Sequence, residues 1–97
     1  MNAQPAPAIV CEYGQMELPR VLSELDILVK GLLPGGVLHL STEQPGAVDA
    51  IPAWCRATGN KVIGQTVIRS CGPGGSVVEY LFDIERGNRH VYPSSLP

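Results

Sequence analysis

The sequence has no apolar run approaching a membrane span, no cluster of basic residues and no closely spaced cysteines. Each absence removes a class of function. A spanning helix needs about 20 consecutive apolar residues. A nucleic-acid backbone is held by rows of Lys and Arg. The seven basic residues here (Arg20, Lys30, Arg56, Lys61, Arg69, Arg86 and Arg89) are scattered and outnumbered by nine Asp and Glu, for a net charge of −2. Neither direct nucleic-acid binding nor a membrane surface is expected. Cys11, Cys55 and Cys71 are odd in number and form no Cys-x-x-Cys, and neither His39 nor His90 has a cysteine or carboxylate at metal-ligand spacing. No metal and no cofactor are expected. The start, Met1-Asn2-Ala3-Gln4-Pro5, lacks the basic region and apolar core of a signal peptide, so free thiols in a reducing cytoplasm are expected. Gly72-Pro73-Gly74-Gly75 has no following Lys-Ser/Thr and precedes a strand, which sets it apart from a phosphate loop. No Ser-His-Asp arrangement and no internal repeat is discernible.

What remains is one small domain. The 97 residues are 44% apolar, and a chain of this length buries about 60–65% of its unfolded surface. Two full layers of secondary structure are needed to do so. Residues 1–7 and 88–97 read as loose tails around a domain at 8–87. Ala8 to Tyr13 is short, apolar and partly β-branched, a strand closed by Gly14. Pro19 suits a first helical turn. Val21, Leu22, Leu25, Leu28, Val29 and Leu32 then fall on one helical stripe, which Pro34-Gly35-Gly36 is expected to stop. Val37 to Leu40 is a strand. Ala47 to Thr58 has helical spacing, with Val48, Ile51 and Cys55 on one face. Because an interior Pro costs about 3 kcal/mol, the main helix is expected to begin near Pro52 and to end at Gly59.

Val62 to Ser70 and Val77 to Arg86 read as the arms of a hairpin turning at Gly72–Gly75. In the second arm Val78, Tyr80, Phe82 and Ile84 alternate with Leu81, Asp83 and Glu85, so one sheet face is wetter. The order is βαβαββ. Right-handed crossovers then place both helices on one side of the sheet. The expected fold is an α/β (α+β) two-layer sandwich: two helices on one face of a mixed four-stranded sheet.

Three stretches carry a family resemblance: Leu33-Pro34-Gly35-Gly36-Val37-Leu38, the run Pro45-Gly46-Ala47-Val48-Asp49-Ala50-Ile51-Pro52-Ala53-Trp54-Cys55-Arg56, and Gly59-Asn60. In this order, followed by a closing hairpin, they resemble the TusA/SirA-like small sulfur carriers over roughly Ile9 to Gly87. The resemblance implies the same sandwich. It also implies a Cys-Pro-x-Pro motif between the first strand and first helix, whose cysteine accepts a persulfide sulfur and passes it to a partner. A thiol just before a helix is favoured as thiolate by the helix dipole and free N–H groups. This chain departs from the pattern there, reading Gly14-Gln15-Met16-Glu17-Leu18-Pro19. Aligned on Gly14, Glu17 takes the cysteine's place; aligned on Pro19, Met16 does; counted back from Pro34-Gly35, Leu18 does. Only the second proline is present.

Each candidate has a plain reading and a sharper one. Glu17 is a carboxylate near a helix N-terminus, worth about 0.3–1 kcal/mol; alternatively its charge imitates the thiolate in a docking surface with Gly14, Met16 and Pro19. Cys11 is a small buried hydrophobe of a strand, or a relocated sulfur acceptor, against which Glu12 argues by disfavouring a thiolate. Cys55 reads as packing. Cys71 sits beside the glycine-rich turn, with Arg69 the one nearby cation. Glu24 and Asp26 read as the solvated face of the first helix. Two functions follow. One is a sulfur carrier or sulfur-relay component, acting through Cys11 or Cys71 by thiolate exchange with protein partners such as a cysteine desulfurase. The other is a non-catalytic protein-binding module that kept the fold and lost the chemistry.

Overall fold

The computed structural model describes residues 8–88. Along the chain lie β1 (Ala8–Glu12), α1 (Leu18–Lys30), β2 (Val37–Thr42), α2 (Ala47–Thr58), β3 (Lys61–Gly72) and β4 (Gly75–Glu85). The expected tails lie outside the described residues, Asn88 excepted. The strands form one sheet in the order β1-β2-β4-β3. β1 and β2 are parallel. β2 with β4, and β3 with β4, are antiparallel.

Alternation decides which face is covered. On β2, Leu38 and Leu40 are buried between half-buried neighbours. They pair across the sheet with Ile84 and Phe82 of β4, which are also buried. These four belong to one core with Val21, Leu25 and Val29 of α1 and Ile51, Trp54 and Cys55 of α2. Both helices therefore cover the same side, and the fold is the expected α+β two-layer sandwich. Each large aliphatic side chain taken fully from water contributes about 1.5–3 kcal/mol, so these few residues hold most of the stability. Among the described residues no helix is long and apolar enough to cross a membrane.

Several boundaries differ from the sequence reading. α1 stops at Lys30, ahead of Pro34, with Gly31 as its C-cap. The guanidinium of Arg86, from the end of β4, donates to the carbonyls of Lys30 (2.9 Å) and Leu32. A cation there satisfies orphan carbonyls and suits the negative end of the helix. Leu32 is thus buried from a turn, not from the helix.

α2 begins at Ala47 and runs through Pro52, contrary to a start near Pro52. Its first turn is tightly wound, with Val48 N–H bonded to the Pro45 carbonyl and Asp49 N–H to Gly46. An interior Pro removes one i→i−4 bond, here that to the Val48 carbonyl. The packed stripe is Ala47, Ile51, Trp54, Cys55 and Thr58. Val48 lies one helical step off it and is 38% exposed, which corrects its expected place on the buried face. Asp26 is not simply solvated: it accepts a hydrogen bond from Trp54 Nε1 at 3.2 Å and ties α1 to α2.

Candidate functional site

The family resemblance directs attention to the loop between β1 and α1. Its backbone is fixed from two sides. Tyr13 N–H extends the ladder to the Ser41 carbonyl, and Met16 N–H closes a turn onto the Tyr13 carbonyl. Gly14 adopts φ 56°, a left-handed conformation that costs a residue with a side chain. Its carbonyl accepts from Glu43 N–H at 2.8 Å, and Gln44 Nε2 donates to the Gln15 carbonyl at 2.9 Å. The β1–α1 and β2–α2 connections thus form one hydrogen-bonded ridge. Thr42, buried at the end of β2, supports it by accepting from Gln44 N–H.

The predicted docking residues divide on this ridge. Met16 packs against the core. Gly14 is half-buried, while Gln15, Glu17 and Pro19 face outward. Glu17 is the N-cap of α1 in an extended conformation, and its side chain makes no capping hydrogen bond. Its carbonyl accepts from Arg20 and Val21 N–H. The helix N-terminus therefore presents a carboxylate and a proline where the resemblance implies a thiol.

The thiols lie elsewhere. Cys11 is half-buried on the helix side of β1 and packs against the core beside Tyr13. Burial first, then the neighbouring Cys11 thiol and the charge of Glu24, hold the Tyr13 hydroxyl proton well above its ordinary affinity. Cys55 is buried, and burial pushes its thiol up to about 12 despite the opposing pull of Arg56. A thiol so placed is inert as a nucleophile. Cys71 is exposed near the hairpin tip, with Sγ 3.5 Å from Ser76 Oγ. It sits on β3, the edge opposite β1, so the structure does not bring the two candidate thiols together.

One pair was not legible in the sequence. His39 Nδ1 lies 2.5 Å from Asp83 Oδ1, brought there by the pairing of β2 with β4. A separation of 44 residues gives no local signal. Among the described residues, no three His, Cys, Asp or Glu gather to hold a metal ion. Comparison of the chain with models of known protein families gives no match, and comparison with curated proteins gives none either.

Proposed function

We propose that this chain is a TusA-like protein that works by docking to sulfur-relay proteins, such as a cysteine desulfurase or a carrier, while a partner carries the sulfur. The observation behind this reading is the β1–α1 ridge. It is ordered by hydrogen bonds to the neighbouring loop and presents Gln15, Glu17 and Pro19 outward. It holds no thiol at the start of α1, where dipole and free N–H groups would activate one. The βαβαββ order supports the family reading.

A second reading is favoured by the exposure of Cys71: sulfur carried at the hairpin tip. One experiment separates the two. The chain is incubated with a cysteine desulfurase and cysteine, and its intact mass is followed beside Cys11→Ser, Cys55→Ser and Cys71→Ser. Docking without carriage gives desulfurase binding that weakens in Glu17→Arg, with no added sulfur. A reducible gain of one sulfur that disappears only in Cys71→Ser, or only in Cys11→Ser, replaces docking with carriage.

A further inference from the structure

The sheet face turned away from the helices forms a trough. Val10 on β1 and Ile68 on β3 line the same groove, of about 370 Å³, with Leu81 of β4 between them. β1 and β3 are the two edges of the sheet. Three strand spacings separate them, roughly 14 Å. Residues of both edge strands line this one groove. An α-helix with its side chains is about 10–12 Å across, narrow enough to lie between the two edge strands.

Its chemistry is equally one-sided. Val10 is 74% exposed and Ile68 42%, which leaves apolar walls open to water. Glu12, Glu79 and Asp83 supply carboxylates to the lining, and His39 is its one basic side chain. Two copies stacked through this face would oppose acid to acid, which costs energy. A partner with an apolar stripe flanked by cations meets both features.

We propose that this trough docks an amphipathic α-helix of a partner protein, its apolar stripe seated between Val10 and Ile68 and its Lys or Arg residues turned to Glu12 and Glu79. This is the helix-in-groove mode of recognition. It is independent of the sulfur reading and uses the opposite layer from the core-packed helices.

The test is a nuclear magnetic resonance titration of the whole chain with an amphipathic Leu/Lys peptide of helical periodicity. A peptide of the same composition in scrambled order and a Leu/Glu peptide serve as comparisons. Saturable shifts are expected at Val10, His39 and Leu81, with at least about tenfold weaker binding of both comparison peptides. Glu12→Lys with Glu79→Lys should weaken the Leu/Lys peptide about tenfold while keeping a cooperative melt. Should that variant fail to fold, Val10→Ser, at an exposed position, replaces it with the same loss expected. Equal binding of the scrambled peptide, shifts confined to the helical face, or dimerisation through the trough without peptide overturns the proposal.

Discussion

A Cβ added at Gly64 would lie 2.5 Å from Oδ2 of Asp83, the carboxylate that holds the His39 ring. Gly64 sits where β3 shifts register against β4, and its φ is not in the left-handed region. Space, not backbone conformation, is what requires glycine there. Gly64→Ala is expected to swing the carboxylate off His39 and cost about 1 kcal/mol. In an Asp83→Ala background the same substitution should be near neutral. A double-mutant cycle by urea unfolding measures the difference; additive effects would show that the two residues are uncoupled.

Leu25 is wholly buried on α1 and faces both the sheet and α2 through the shared core. Leu25→Asp buries an unpaired charge and is expected to unfold the domain. Circular dichroism with thermal melting checks this, and a folded, cooperative variant would contradict the placement of that face of α1.

Arg86 joins the end of β4 to the end of α1. Arg86→Met keeps much of the apolar stem and removes the guanidinium. It should cost about 1.5–3 kcal/mol, the range for hydrogen bonds made by a charged group. Denaturant unfolding reads the loss, which should appear in the midpoint and leave the slope unchanged.

Thiol labelling should divide the cysteines by burial. Native protein is expected to expose Cys71 at once, Cys11 more slowly, and Cys55 only in denaturant. Mass mapping of the labelled sites distinguishes them. Rapid native labelling of Cys55 would contradict its place in the core.

Alkaline pH should destabilise the fold. The Cys55 thiol ordinarily loses its proton near 9.0 and in the folded chain near 12. Between these values the unfolded chain has released a proton that the folded chain retains, so stability falls with rising pH. It is fully present below about 9 and lost progressively toward 12. Tyr13, shifted in the same direction, adds to the decline. Melting temperatures of wild type and Cys55→Ala across this window should converge as pH rises.

The fold was legible because its signals are local and periodic. The stripe from Val21 to Val29 and the alternation of Phe82 and Ile84 survive in the structure as buried faces. The end of α1 was not legible, because Arg86 caps it from the far end of the chain. Pro52 misplaced the start of α2 because the tight first turn leaves a single carbonyl without its helical donor. At the candidate site, the outward set of Gln15, Glu17 and Pro19 depends on hydrogen bonds from Glu43 and Gln44. The trough gathers residues of all four strands, and no spacing along one strand encodes that.

Among the described residues, β1 is held by hydrogen bonds to one neighbouring strand, along the five residues Ala8–Glu12. β4, between two partners, has no such freedom. Short edge elements open locally at less cost than the whole domain, so β1 can peel away while the β2–β4–β3 ladder persists. Cys11 travels with it. The solvent accessibility of that thiol is then a clock for the opening of one strand, and anything seated across Val10 and Ile68 would slow it.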